Sequence, residues 1–505
     1  MWARDYSNEP MNHKFTGFTQ AITVTLLGSC LLLFTFTIPV RASETGLPSS
    51  VAALMQARGI PENSLSVVIK KVGSKQSTIS HYPDTSRNPA SAMKLVTTAA
   101  ALQLLGPQHR WHTQALVHGE VQGNTLDGDL ILKGGGDPWL VIERFWLLAR
   151  QLRDRGIAHI RGDLVIDDTL FDRRAIDTKS IDGKSTRTYN TPPSALLVNF
   201  GATAITISSR QNTVNISAKP PAATLKIHNT VDLSSADCAQ KGRQIQFDLK
   251  KTASASQLSV GGRYPAGCGA STYRRTLLSH GPYVYGVFKA LWQQLGGTLS
   301  GGWRYARTPD RAVTAAQLES VSLAEVIRYI NKFSNNVMAR NLLLTLGSNH
   351  PPATPDKAVT EIKKWLDQTG VMMPKLKIDN GAGLSRDARI SAQGLATLLE
   401  TAVQLPWWPE FLGSLPIAEV DGSLKKRFHN LAQPGRLRLK TGLLKDVRAL
   451  AGYVIDRRAI SGSWSFCITA LARHSPSGSK FSISCLRPFF NSAVWGPAAV
   501  LRKLR

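Results

Sequence analysis

Ser91-Ala92-Met93-Lys94 heads an apolar, alanine-rich run that continues to residue 105. The run predicts a helix over 92–105, and Pro89-Ala90 just ahead of it is a start signal. Residues three apart share a helix face, so the hydroxyl and the amine can touch. A serine hydroxyl becomes a strong nucleophile when a neighbouring base takes its proton. Lysine serves as that base when burial or nearby positive charge lowers its pKa. Leu95, Val96, Ala99, Ala100, Ala101, Leu102, Leu104 and Leu105 make the helix apolar enough for burial. Its first turn also sits at the positive end of the helix dipole, which favours a neutral lysine and a developing oxyanion. The same Ser-x-x-Lys spacing recurs at Ser423–Lys426 and Ser477–Lys480. Ser423 precedes Lys425-Lys426-Arg427, which reads as a solvated basic turn. Ser477 lies in Ser475-Pro476-Ser477-Gly478-Ser479 and reads as a loop.

Two later stretches separate the first match from the others. Ser334-Asn335-Asn336 divides one periodic run, 323–333, from another, 337–346. Lys440-Thr441-Gly442 occurs once and follows the alternating Arg436-Leu437-Arg438-Leu439. Ser-x-Asn alone is a weak signal and also occurs at Ser86–Asn88. In this order and on these elements, the three stretches resemble the signature of penicillin-binding proteins and serine β-lactamases. The wide interval between Ser91 and Ser334 narrows the resemblance to the DacB-type D-alanyl-D-alanine carboxypeptidase/endopeptidase family, the class C low-molecular-mass penicillin-binding proteins, which carry a large insertion there. Other family-like segments are Gly128-Asp129-Leu130 with Gly134-Gly135-Gly136-Asp137-Pro138, and Gly162-Asp163-Leu164-Val165-Ile166-Asp167-Asp168. Pro193-Ser194-Ala195-Leu196-Leu197-Val198-Asn199, Gly383-Leu384-Ser385-Arg386, and Leu415-Pro416 with Asp421-Gly422-Ser423-Leu424 extend the similarity over almost all of residues 45–500.

The resemblance implies an α+β, penicillin-binding protein/β-lactamase-like transpeptidase fold: an antiparallel sheet flanked by helices, with a large β-rich insertion. Residues 43–112 and 313–505 would form the two parts of the catalytic domain, and 113–312 the insertion, with a β-rich subdomain near 202–275. Strands are expected over 65–72 and 78–81, and a meander over 436–441, 447–457 and 463–473. A last helix near 492–504 would cover the sheet. The insertion reads as short strands and turns.

The resemblance also implies the site. Ser91 would attack the D-Ala-D-Ala carbonyl, with Lys94 neutral and taking its proton. Ser334 and Lys440 would relay a proton to the leaving nitrogen, and Asn336 would bind the substrate amide and hold Lys94. Lys440 would stay charged and lower the pKa of Lys94 by like-charge proximity. Thr441 with Lys440 would bind the terminal carboxylate, beside Gly442. The backbone N–H groups of Ser91 and Leu443 would form the oxyanion hole. Arg386 would face a carboxylate of a diaminopimelate side chain, or else serve a structural ion pair. An acidic residue in the loop after Phe171, Asp172 or Asp177, would meet the side-chain amine. That loop departs from the family pattern, because residues 181–189 are polar and basic. The implied substrates are peptidoglycan peptides, with β-lactams as covalent inhibitors and no metal or organic cofactor. The alternatives are a β-lactamase-like hydrolase, which lacks a glutamate in a recognisable deacylating position here, and a non-catalytic wall-binding protein of the same fold.

Composition fits export. Lys14, an apolar region over 21–38 and Val40-Arg41-Ala42 read as a signal peptide over 1–42, removed on the way to the periplasm. A retained anchor is the alternative, and Met11 competes with Met1 as the start. Cys238, Cys268, Cys467 and Cys485 then remain, which permits two disulfides or free thiols. Cys238–Cys268 with Cys467–Cys485 is the simplest of three pairings. No spacing matches a zinc site. A net charge of +27 suits an anionic partner such as peptidoglycan or, in a peripheral contact, a membrane surface. No helix-turn-helix, zinc finger or aromatic-basic platform argues for nucleic acid. Oligomeric state is not legible.

Overall fold

Alternation along the strand Val447–Ile455 sorts its side chains between two cores. Ala449, Ala451 and Tyr453 face a layer of helices, while Leu450 and Val454 face the opposite side. This computed structural model describes residues 46–210, 213–240, 242, 244–428, 435–455 and 464–473, with only the backbone in the last stretch and at 240.

Val447–Ile455 belongs to a five-stranded antiparallel sheet. Its order is Leu437–Leu444, Val447–Ile455, Trp464–Arg473, Leu65–Lys71, Ser77–His81. The N-terminal hairpin therefore docks beside the C-terminal meander, with Leu65 opposite Ala472. Helices Lys94–Leu105, Leu323–Phe333, Asn336–Leu346, Pro355–Gln368 and Ala392–Val403 pack on one face. The short helix Ser49–Ala57 covers the other through Val51 and Met55. Leu323–Phe333 starts with a capping box, Ser322 and Glu325, and buries Leu323, Val326, Ile327 and Ile330 at helical spacing.

Between these parts the chain builds a seven-stranded mixed sheet. Thr125–Gly134 sits between His112–Gln122, antiparallel to it, and the parallel His159–Ile160 and Leu164–Asp167. The strand Val313–Glu319 pairs with His112–Gln122, so the sheet reaches past residue 312. Helices Ile142–Asp154 and His280–Gln294 pack against this sheet. The strand-and-turn reading of the insertion did not include them. Phe145, Leu148, Ala149 and Leu152 are buried at positions i, i+3, i+4 and i+7, a period that fits only a helix.

Two three-stranded sheets lie between Thr203 and Arg275. Their small core holds Ile205, Ile207, Leu258, Val260, Tyr264 and Leu277. A Cys238–Cys268 disulfide, with Cα atoms 5.5 Å apart, ties this part together. The expected Cys467–Cys485 pairing, Ser477–Lys480, the helix at 492–504 and segment 1–42 fall outside the described side chains. Among the described residues no helix is long and apolar enough to cross a membrane.

Candidate active site

Ser91 sits in a 3-10 turn, Ala90–Met93, and the α-helix begins at Lys94. Ala90 has a left-handed φ of 45° and is fully buried. Asn88 holds this unusual backbone in place: its Oδ1 accepts from Ala90 N–H at 2.8 Å, and its Nδ2 donates to Ser385 O at 2.7 Å. Two glycines let other segments press against the turn. A Cβ on Gly383 would lie 1.7 Å from Ala90 O, and one on Gly442 would lie 2.5 Å from Pro89 O. The Lys-Thr-Gly strand is thereby set flush against the turn that presents Ser91.

Lys94 is fully buried, and its Nζ has three neighbours. Ser91 Oγ lies at 3.1 Å, Asn336 Oδ1 at 2.6 Å and Ala382 O at 2.5 Å. Burial lowers the Lys94 pKa well below its ordinary value, and the Lys440 charge lowers it further. Both causes named from the sequence act on Lys94, burial more strongly than the Lys440 charge.

Ser334-Asn335-Asn336 is a junction between two helices. Ser334 ends Leu323–Phe333 in the left-handed region, with φ 56°. Asn335 caps the next helix, its side chain accepting from Met338 N–H at 3.1 Å. The kink turns the flanking Ser334 and Asn336 into the site while the middle residue is structural.

Lys440 is also fully buried and donates to Ser334 Oγ at 2.9 Å and Thr441 O at 2.8 Å. Burial pushes its pKa down to about 7, so it is not the permanently charged group first expected. Thr441 Oγ1 and Ser423 Oγ are hydrogen-bonded at 2.9 Å. Lys425 and Lys426 are exposed, as the basic turn implied, while Ser423 just ahead of them faces the cleft. Its turn, Gly422–Leu424, is anchored through Asp421, which accepts from Lys332 Nζ at 2.6 Å and from Ile417 N–H at 2.8 Å. Lys332 stands two residues before Ser334, so one ion pair ties both sides of the cleft. Leu443 is 58% exposed and opposes Arg448 in the hairpin. Leu439 N–H, of the same parity, donates outward to Pro416 O at 3.0 Å. Leu443 N–H likewise points away from Val447–Ile455, along the free edge beside Ser91.

The cleft is lined by Ser91, Ser334, Asn336, Ser423, Thr441 and Gly442, with Leu443 at its rim. Arg386, Arg427, Lys445 and Arg448 make it basic, which suits a carboxylate-bearing ligand. Arg386 also pairs with Asp446 at 2.9 Å, so the structural role weighed for it is present. Asp172 does not reach this wall. Its carboxylate accepts from Arg174 N–H and caps the turn Arg173–Ala175. The acidic residue on the wall is Asp182, beside Ile181 and Tyr189. Asp182 accepts from Tyr189 Oη at 2.6 Å and Asn190 Nδ2 at 2.9 Å. Its polar, basic surroundings concealed it in the sequence; the nearby Asp-x-Lys turn was the available signal. Among the described residues, no group of three His, Cys, Asp or Glu side chains could hold a metal ion.

A serine beside a desolvated amine, faced by a second serine–lysine pair, is chemistry for acyl transfer through serine. On this fold it defines a serine hydrolase of the penicillin-binding class. The crystal structure of penicillin binding protein 4 (dacB) from Haemophilus influenzae superposes with a TM-score of 0.72 at 23% identity, over 88% of this chain and 99% of that one. Another structure of that protein is a complex with a β-lactam. Residues 47–480 match the model of the D-Ala-D-Ala carboxypeptidase 3 (S13) family, and the chain belongs to that family of serine carboxypeptidases. A D-alanyl-D-alanine carboxypeptidase of Actinomadura sp. is 29% identical over 391 residues, 72% of this chain and 70% of the relative. D-alanyl-D-alanine carboxypeptidase DacB of Haemophilus influenzae is 26% identical over 449 residues, 86% of this chain and 90% of the relative.

Proposed function

We propose that the enzyme hydrolyses the D-Ala-D-Ala bond of peptidoglycan stem peptides, and the corresponding bond of peptide cross-links, through an acyl-Ser91 intermediate. The three neighbours of Lys94 carry this reading. A neutral amine has two hydrogens and one lone pair. Asn336 Oδ1 and Ala382 O can only accept, so they take both hydrogens. The lone pair is left for the Ser91 hydroxyl hydrogen. Burial supplies the neutral state.

Ser91 Oγ attacks the scissile carbonyl as Lys94 takes its proton. The oxyanion forms between the N–H groups of Ser91 and Leu443. Lys94 passes that proton on through Ser334, held by charged Lys440, to the leaving nitrogen, so Lys94 is neutral again as D-Ala or the cross-linked chain departs. Thr441, positioned by Ser423, and the cleft cations bind the terminal carboxylate. Water then attacks the ester, with Lys94 again the base. A β-lactam follows the acylation half of this path, and the β-lactam complex of the Haemophilus influenzae protein supports that reading. The chain works in the periplasm after removal of residues 1–42. Residues 43–112 and 313–505 form the catalytic part and 113–312 the insertion, whose sheet borrows Val313–Glu319 from beyond that limit.

Labelled penicillin tests the reading. Stable labelling of the wild type, absent in Ser91→Ala, is the expected result. Labelling that persists in Ser91→Ala refutes the site, and rapid turnover of the label indicates a β-lactamase. Cross-linked muropeptides separate the two peptidase activities through released D-Ala against released monomers.

A further inference from the structure

Arg340 has no part in the chemistry above, yet it lies one turn beyond Asn336 on the same helix. It is only 8% exposed. Among the described residues no carboxylate lies within ion-pair distance of its guanidinium, which stays protonated. Its donors go instead to two backbone carbonyls: Nη2 to Asp177 O at 2.7 Å and Nη1 to Thr191 O at 3.2 Å. Those carbonyls are the two stems of one loop. Between them the chain runs out and back, and Ile181, Asp182 and Tyr189 on that excursion line the cleft with Ser91.

The loop has its own internal ties and two side anchors, both to Thr276, one of them the Thr191 Oγ1–Thr276 Oγ1 hydrogen bond at 2.6 Å. Asp182 gathers Tyr189, Asn190 and Lys184 N–H, and Thr186 O accepts from Thr276 N–H at 2.9 Å. These fix the loop's shape and join it to the neighbouring strand end. Neither joins it to the helix that carries Asn336. The planar two-pronged guanidinium does, and lysine cannot reproduce it, because an ammonium is a single point donor.

We propose that Arg340 is a positioning residue that clamps both stems of the 177–191 loop to the Asn336 helix. The clamp sets the loop's height over the cleft and so selects substrates by the peptide preceding the D-Ala-D-Ala unit. This rests on the peptidase reading above. Penicillin occupies the acylation centre alone, so it reports on Ser91 and Lys94 without the loop.

Arg340→Lys separates the two roles. Labelled penicillin should acylate it at the wild-type rate, within about twofold. With a full stem pentapeptide ending in D-Ala-D-Ala, kcat/KM should fall about tenfold through KM, the scale of one lost charge-assisted hydrogen bond. Trypsin should cut faster at Lys179, Lys184 or Arg187, the basic sites inside the loop. A parallel fall in penicillin and peptide rates overturns the clamp, because it marks a general fold effect. Unchanged KM and unchanged cleavage overturn it too. Arg340→Met is the stronger variant; if it does not fold, Arg340→Lys decides. Wild-type protein that takes no penicillin refutes the peptidase reading, while the trypsin rates still decide the clamp.

Discussion

Ser91–Lys94 and Ser423–Lys426 carry the same spacing, and both serines line one cleft. The first serine opens a helix whose lysine is fully buried. The second sits in a 3-10 turn whose lysine is exposed. Lys94 has two acceptors and a hydroxyl around it, whereas Lys426 faces water. Spacing brings a hydroxyl and an amine into range; burial makes the amine a base. Ser423 still contributes, through Thr441 and not through its own lysine.

Breaking the first pair should have the largest effect. Ser91→Ala removes the nucleophile and should lower peptide kcat by at least about ten-thousandfold, read by D-Ala release. Lys94→Met keeps the hydroxyl but removes the base, and acylation by labelled penicillin should fall by roughly a thousandfold. The pH profile sharpens the contrast. Acylation needs neutral Lys94, so kcat/KM should rise as pH rises through that group's lowered pKa. Proton return needs charged Lys440, so the rate should fall above about pH 7. Lys440 binds its proton less tightly when folded than at its ordinary 10.5, so between about 7 and 10.5 the unfolded chain holds more protons. Stability should therefore rise with pH across that window, and Lys440→Met should flatten the rise in thermal midpoint. Ser423→Ala removes one neutral hydrogen bond to Thr441, and kcat/KM should drop by about threefold to tenfold. Lys426→Ala should leave both activity and stability unchanged, within about 0.5 kcal/mol; a large loss there would erase the distinction between the two pairs.

What the sequence revealed follows the range of each signal. Ser91, Lys94, Ser334, Asn336 and Lys440 lie in short motifs, and the meander strands are marked by apolar, β-branched content between turns. The bond of Ser423 to Thr441 was not legible because the turn that carries Ser423 is held by the Lys332–Asp421 pair, a contact no local pattern encodes. Asp182 was missed for Asp172 because the path of an irregular loop decides which carboxylate meets the cleft. The Ile142–Asp154 helix was overlooked although its buried period was readable. Its flanking strands drew the whole segment toward a β reading.

The register of Leu65–Lys71 against Trp464–Arg473 has a consequence for how the molecule comes into being. That pairing closes a loop of roughly four hundred residues, the kind of non-local contact that slows folding. Ser91 is made early and Lys440 late, and the sheet that seats the late strand is completed later still. A nascent or prematurely ended chain thus has the nucleophile without its assembled surroundings. Catalytic competence appears as a final event, once Leu65–Lys71 and Trp464–Arg473 have paired.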